Sequence, residues 1–513
     1  MSSTWTRLTR NLLLPALSGL LLLLSFPSFS LSYVALCAWI PLLASLEGKG
    51  ARRAFQSGWI TGVLFYGFLI YWLNYVTTAG YTLLVLYLSL YPAVFCLLLG
   101  RLRGPVARPF WGGLLWTGME YLRSIGPWSF SWGLLGHTQW ATPQLSYSAR
   151  WWGVYGLSFL LMAMNLCLVE VWVRRRRRRA IRNRWLWPPA ILILIAVLGQ
   201  VRNPGEGARR PLRVALLQGN YPQDEKWEAT TTDVLECYLE LSREALEEGP
   251  DLIVWPETAI PDVLTRRPEV RAAIQDWVSA HRTSVLFGSV AEEPPGYYNS
   301  AFLVSPVADG KVRWQRYDKV HLVPYGEKVP FKRLFPFLER IVESRGGGEY
   351  EAGSGFPVFE IQRARFGVLI CFESTIPTLA RQYALQGIDF LVVITNDAWF
   401  GPSTAPYQHA LQSAFRAVET GVPVVRSTNT GWTCAFDARG RLIKAIPIYE
   451  RGFLTVDVQV GRQPTLYTRW GDLPMQLALG LMLGCFLSQW LLPPGRPAVG
   501  RRRRKARAAD TGH

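Results

Sequence analysis

The chain has little with which to build a metal centre or a disulfide framework. Its seven cysteines form no CxxC pair, and no His/Cys spacing of the metal-binding kind accompanies them, so neither a bound metal nor a cystine-stapled scaffold is expected. Cys37, Cys96, Cys167 and Cys485 fall in apolar stretches and read as packing residues. Cys237, Cys371 and Cys434 remain, an odd number that leaves at least one thiol free in an oxidising compartment if pairing stays within the chain. Whether Cys237 and Cys434 pair is open at this level.

Acidic residues are also scarce, with 37 Asp+Glu against 55 Lys+Arg and a net charge of +18. The shortage is local. Between residues 211 and 460 there are 25 Lys+Arg and 31 Asp+Glu, a net of −6, so the rest of the chain carries +24. That remainder is where the apolar residues concentrate. A chain that is 50% hydrophobic with 22 tryptophans is too apolar for one ordinary soluble enzyme. Mostly uncharged windows recur near 11–28, 32–47, 57–76, 81–100, 106–122, 151–173, 186–200 and 474–493, and several reach the roughly 20 helical residues that cross a hydrocarbon core. A multi-span α-helical membrane bundle of about eight spans is therefore expected. Arg7 and Arg10 ahead of the first window look like a signal peptide, but the cleavage pattern is poor and further spans follow at once, so a retained span is expected.

The basic residues group by loop. Arg7, Arg10, Lys49, Arg52, Arg53, Arg101, Arg103, Arg108, Arg174 to Arg179 and the run beginning at Arg501 fall on one side of an eight-span arrangement, while Thr77 to Gly80 and similar loops are nearly uncharged. The positive-inside rule then makes both termini cytoplasmic and puts 211–460 outside. It also accounts for the six-arginine run without nucleic acid.

Region 211–460 has the composition of a soluble domain. RVALLQ (213–218), LIVW (252–255), SVLFGSV (284–290), FGVLI (366–370), FLVVIT (390–395) and VPVVRS (422–427) read as buried strands. Helical patterns fall between them, at Val234, Tyr238, Leu241 and Ala245 and near 267–281, 375–386 and 405–420. Alternation of this kind implies a layered α/β domain. The predicted organisation is a membrane domain over 1–205, an α/β domain over 211–460, a last span over 470–495 and a basic tail over 496–513.

Polar residues stand where the strands end, as the chemistry of α/β folds requires. WPET places Glu257 after LIVW, CFES places Cys371 after GVLI, and TNDAWFG places Asn396 after FLVVI. Lys319 lies in YDKVHLVPYGEKVP. A thiol with a carboxylate base and a cation forms a workable nucleophilic set: the base takes the thiol proton, and the lysine neutralises an oxyanion with help from the N–H that follows the nucleophile.

WPE at 255–257, YDKVHLVPYGE at 317–327 and CFES at 371–374 resemble, in order, the three catalytic motifs of the nitrilase or carbon-nitrogen hydrolase superfamily. The resemblance implies an αββα sandwich with Glu257 as general base, Lys319 as oxyanion stabiliser and Cys371 as nucleophile. Together with the spans, and with LVPYGEKVP, TNDAWFGPS, VVRSTNTG and EYLR followed by SIGPWSFSWGLLG, the chain is similar to the apolipoprotein N-acyltransferases over nearly its whole length. That likeness implies a bacterial inner-membrane enzyme with a periplasmic catalytic domain. It implies a phospholipid acyl donor, phosphatidylethanolamine, a diacylglyceryl-cysteine lipoprotein acceptor, a thioester on Cys371, no cofactor and a monomer. It further implies that Glu327 supports the lysine, that Glu373 shapes the site and that Trp227 lies near the acyl or headgroup pocket, with Asn396 and Trp399 as further supporting residues. One departure is Phe372, where many relatives have tyrosine; a backbone N–H role survives it and a hydroxyl role does not.

Segment 331–356, with Gly346, Gly347 and Gly348, is expected to be a lid or a surface loop. Glu120 and Arg123, near the end of a span, read equally as substrate-facing groups or as a structural ion pair. Two other functions compete: a membrane-tethered amidase for a soluble C–N substrate, which leaves most spans without a purpose, and a transporter or scaffold with an inactive domain.

Overall fold

The computed structural model describes residues 8–102, 107–126, 128–178, 187–199, 211–221, 230–324, 326–328, 349–361, 363–461 and 463–491. Trp227, most of segment 331–356 and the tail from 496 lie outside the described residues.

The N-terminal part is helical: α1 (Leu14–Leu24), α2 (Ile40–Ser45), α3 (Ala51–Leu69), α4 (Thr78–Leu99), α5 (Ala107–Arg123), α6 (Ala149–Arg176) and α7 (Trp187–Leu198). Helices α4 and α6, of 22 and 28 residues, are long and apolar enough to cross a membrane. At 1.5 Å per residue α4 reaches about 33 Å; α6 is interrupted at Gly153 (φ +68), and its run beyond that residue reaches about 34 Å. The other apolar helices are shorter. Window 32–47 is not one helix: a 3-10 turn, Ser32–Leu36, precedes α2, which begins with Pro41 in its first turn. Proline is pre-organised for that position because its missing N–H has no intrahelical role there. Buried Asn165 of α6 satisfies the backbone at the break, accepting from Trp39 N at 3.0 Å and donating to Ala35 O at 2.8 Å.

Helices α3 and α4 approach through small residues. A Cβ on Gly58 would come within 2.2 Å of Pro92 O, and one on Gly62 within 2.8 Å of Ser89 Cα. Small residues four apart permit such close backbone contact between helices.

The second part comprises β1 (Leu212–Gln218), α8 (Thr231–Leu246), β2 (Leu252–Val254), β3 (Ile260–Val263), α9 (Pro268–His281), β4 (Ser284–Glu293), β5 (Gly296–Pro306), β6 (Val312–Asp318), β7 (Phe359–Ile361), β8 (Ala364–Ile370), α10 (Pro377–Leu385), β9 (Phe390–Thr395), α11 (Ala405–Thr420), β10 (Val424–Thr428), β11 (Thr433–Phe436), β12 (Leu442–Ile446) and β13 (Gly452–Val458). One sheet runs β13-β1-β2-β4-β5-β6 with β3 on β4, and the other runs β12-β11-β10-β9-β8-β7. Each has a parallel centre, β1-β2-β4 and β8-β9-β10.

Alternation along the strands builds three apolar layers. Val214, Leu216, Val254, Leu286, Val368, Ile370, Val392 and Ile394 meet between the sheets. Ala215, Leu217, Ile253 and Val285 turn outward onto Val234, Tyr238, Ile274 and Trp277 of α8 and α9. Leu369, Leu391 and Val393 turn onto α10 and α11. These layers make an αββα sandwich. After α12 (Leu466–Trp470) the chain ends its described course in α13 (Leu473–Leu491).

Helix α11 joins the two parts and is buried along nearly its whole length. Its Gln408 donates to Leu69 O and accepts from Trp72 Nε1, its Gln412 accepts from Ser131 Oγ, and its Glu419 accepts from Val154 N.

Candidate active site

Glu257, Lys319 and Cys371 stand on three turns at one end of the sandwich. Cys371 directly follows β8 and has φ +53, a left-handed conformation that costs a non-glycine residue about 1–3 kcal/mol and persists only where its surroundings over-determine it. Glu373 provides that constraint. Its buried carboxylate accepts from Ile370 N at 2.8 Å, from Val320 N and His321 N at 2.8 and 3.0 Å, and from Tyr317 Oη at 2.8 Å. One side chain thus ties the cysteine turn to the lysine turn.

Lys319 is 1% exposed, and its Nζ lies 2.8 Å from Glu327 Oε2 and 3.6 Å from Glu257 Oε1. Burial works to deprotonate it, but Glu327 and then Glu257 outweigh burial and hold its pKa above the ordinary lysine value. Asn299 Nδ2 donates to both carboxylates at 2.8 Å, and Asn396 N donates to Glu257 Oε2 at 2.8 Å. The glutamate therefore has fixed partners on both oxygens. Beneath it, a Cβ on Gly288 of β4 would come within 2.7 Å of Glu257 Cα, so glycine is what lets this turn sit on the strand.

Burial pushes the Cys371 thiol up, the Glu257 carboxylate adds to that, and Lys319 offsets part of it. A thiol held this way would need a base to take its proton before it could act as a nucleophile.

Behind the cysteine lies a charged cluster. His409 Nε2 is 3.1 Å from Cys371 O and 3.0 Å from Ser374 Oγ, and Ser374 Oγ donates to Cys371 O at 2.9 Å. Asp397 Oδ1 and Arg426 Nη2 each lie 2.9 Å from His409 Nδ1, and Arg426 Nη2 donates to Asp397 Oδ2 at 2.8 Å. Burial works against the Asp397 anion, yet Arg426 and His409 lower its pKa to about 2. Burial, helped by Arg426, lowers that of His409, and Asp397 opposes the shift.

In front, the site meets the helical part through rings. Phe130, Trp132, Phe372 and His321 form a nearly parallel stack with centroid steps of 5.2, 5.8 and 5.8 Å. Glu120 and Arg123 position this wall. Glu120 Oε1 accepts from Leu135 N at 2.6 Å, and Arg123 Nη1 donates to Phe130 O and Trp132 O at 2.7 Å.

The structure thus gathers Glu257, Lys319, Glu327, Cys371, Phe372, Glu373 and Asn396, which the sequence names from distant stretches. Trp399 is 42% exposed and stands outside the charged cluster. Cys237 and Cys434 are separate free thiols, which closes the question of their pairing. Sequence reasoning missed Asn299, Asp397, His409 and Arg426. An arginine inside the apolar run VPVVRS was the available signal, because a buried charge demands a partner.

Residues 18–167 match the apolipoprotein N-acyltransferase N-terminal domain family, and residues 213–464 match the carbon-nitrogen hydrolase family. The apolipoprotein N-acyltransferase of Geobacter metallireducens is 39% identical over 90% of this chain and 92% of its own. That of Chlorobaculum tepidum is 30% identical over 92% and 95%, and that of Vibrio cholerae 29% identical over 94% and 98%. Among solved structures, a mutant amidase of the nitrilase superfamily from Nesterenkonia AN1 aligns at 17% identity and a TM-score of 0.40, covering 52% of this chain and 97% of that one.

Proposed function

The chain belongs to the apolipoprotein N-acyltransferase family, and from that premise we propose that it transfers a fatty acyl chain from a phospholipid to the N-terminal α-amine of a diacylglyceryl-cysteine lipoprotein. Cys371 carries the chain as a thioester. In the first half, Sγ attacks the ester carbonyl carbon while Glu257 takes the thiol proton. The S–C bond forms and the oxyanion develops beside Lys319 and the Phe372 N–H. The C–O bond then breaks, and Glu257 returns the proton to the leaving alkoxide, which departs as lysophospholipid. In the second half, the amine nitrogen attacks the thioester, Glu257 accepts its proton, and the C–S bond breaks to regenerate the thiol. No cofactor enters, and the working unit is a monomer. Phosphatidylethanolamine is the proposed donor.

The supporting observation is the seating of the thiol and its Glu–Lys pair where the sandwich meets apolar helices, with Phe372 stacked on Trp132 of the helical part. An amidase with a small soluble substrate is not favoured, because the relatives that match nearly the whole chain are N-acyltransferases.

On this reading the apolar helices make about eight spans of the bacterial cytoplasmic membrane, with 211–460 on the periplasmic side, the last span over 470–495 and the tail in the cytoplasm. Positive charge supports it. Lys49 Nζ donates to Arg10 O at 3.0 Å, and Arg177 pairs with Glu47, so basic residues distant in sequence share one end of the bundle.

Incubation of the purified protein with phosphatidylethanolamine, followed by intact mass, tests the chemistry. A fatty-acyl increment on Cys371 is expected, absent in Cys371→Ala and discharged by a diacylglyceryl-cysteine peptide with a free amine. Hydrolysis of small amides with no increment from any phospholipid would favour the amidase.

A further inference from the structure

A peptide group is planar and trans, so its C=O and the next N–H point in opposite directions. The carbonyl of Cys371 and the N–H of Phe372 belong to one such plane. Whatever fixes the Cys371 carbonyl therefore aims the Phe372 N–H, the backbone donor that the proposed mechanism turns toward the oxyanion. Two side chains hold that carbonyl: His409 through Nε2 at 3.1 Å and Ser374 through Oγ at 2.9 Å. A carbonyl oxygen only accepts, so the hydrogen of the first contact is on Nε2, while Nδ1 on the far side of the ring lies 2.9 Å from both Asp397 Oδ1 and Arg426 Nη2. Arg426 is fixed in turn by Asp397. His409, Ser374, Asp397 and Arg426 are all at most 1% exposed.

We propose that His409, braced by Arg426 and Asp397 and assisted by Ser374, is a positioning residue that aims the Phe372 N–H at the oxyanion. It acts from behind the nucleophile and touches neither substrate. Its effect falls on steps that make a tetrahedral intermediate, in both halves of the transfer. Simple displacement at Sγ has no oxyanion and is independent of it.

The inference rests on Cys371 as the acylated nucleophile, and the test separates the two. The full chain in detergent is mixed with phosphatidylethanolamine, and acylation of Cys371 is followed by intact mass over a range of lipid concentrations. Alkylation of the same thiol by iodoacetamide runs in parallel. His409→Ala is expected to slow acylation about 10- to 100-fold, less than the roughly 100- to 1,000-fold that removal of an oxyanion donor costs, with half-saturation by lipid and the alkylation rate both within about threefold of the parent. His409→Gln, which keeps a donor for the carbonyl, is expected to recover most of the loss. Ser374→Ala removes one hydroxyl with little change of volume, and if His409→Ala does not fold it carries the same pair of measurements, with a smaller acylation defect expected. Acylation at the parent rate in these variants, or alkylation falling in step with acylation, overturns the inference. A parent enzyme that never acylates Cys371 overturns the underlying reading instead.

Discussion

A guanidinium inside a strand has to be neutralised where it stands. Arg426 on β10 is fully buried, and its carboxylate partner is Asp397, 2.8 Å away. Removing one member of such a pair strands the other charge, a loss of about 3–5 kcal/mol. Asp397→Asn is expected to destabilise the protein by that order at pH 7, read as a lower unfolding midpoint in detergent. The pH dependence has a definite sign. The folded-state pKa of Asp397 is depressed from 3.8 to about 2, so its stabilisation is present above about pH 4 and is lost as pH falls toward 2, on the order of 2 kcal/mol in all. The parent should lose midpoint across that window and the asparagine variant should lose less of it; equal losses would show that Asp397 is not the group responsible. The sequence names Asn396 and passes over its neighbour, because a strand-end carboxylate reads as a turn former until a buried arginine 29 residues on, in the neighbouring strand, gives it a partner. Glu257, Lys319 and Cys371 were legible for the opposite reason: each sits in a stretch whose neighbours are as distinctive as itself.

Strands with continuous β-branched runs announce themselves, and FLVVIT coincides with β9 as Phe390–Thr395. The antiparallel strands β5 and β6, GYYNSAFLVSP and VRWQRYD, mix aromatic, polar and charged residues, and no period separates them from loop. Their pairing is set by β4, whose register places Asn299 opposite Val290, and so Asn299 reaches both carboxylates without any local signal of its own. Strand β4 also bears a tight steric condition at the site. A side chain on Gly288 would meet Thr258 N at 2.5 Å and Glu257 Cα at 2.7 Å, both backbone atoms. Backbone does not yield as a flexible side chain does, and overpacking of this kind costs about 1–3 kcal/mol. Gly288→Ala is therefore expected to fold with a lowered midpoint while the turn bearing Glu257 lifts from the strand. Acylation of Cys371 should fall at least about tenfold, the share a misplaced general base forfeits. A variant with full acylation activity would mean that the Glu257 turn tolerates displacement.

Region 211–460 reads from sequence as a soluble domain with a core of its own, yet one face of it is completed by the helical part. The polar side chains of α11 end on Leu69 O, Ser131 and Val154 N, partners more than 200 residues away in sequence. That seam was invisible in the sequence because glutamines and a glutamate on a helix face read as solvent-exposed. It also fixes a direction. Helix α3 begins beside the basic Arg52 and Arg53 and ends at Leu69, whose carbonyl receives Gln408 of the sandwich. Nineteen residues at 1.5 Å each separate those ends by about 28 Å, close to the thickness of a hydrocarbon core. On the proposed topology α3 crosses the bilayer, the basic cluster and the sandwich lie on opposite sides of it, and positive-inside bias puts the sandwich outside. Cysteine introduced at exposed Glu269 in a Cys37→Ser background should react with a membrane-impermeant maleimide on intact spheroplasts, and cysteine at exposed Arg52 only after permeabilisation. The reverse pattern would invert the topology and leave the active site facing the cytoplasm; labelling of both positions without permeabilisation would mean that α3 does not cross.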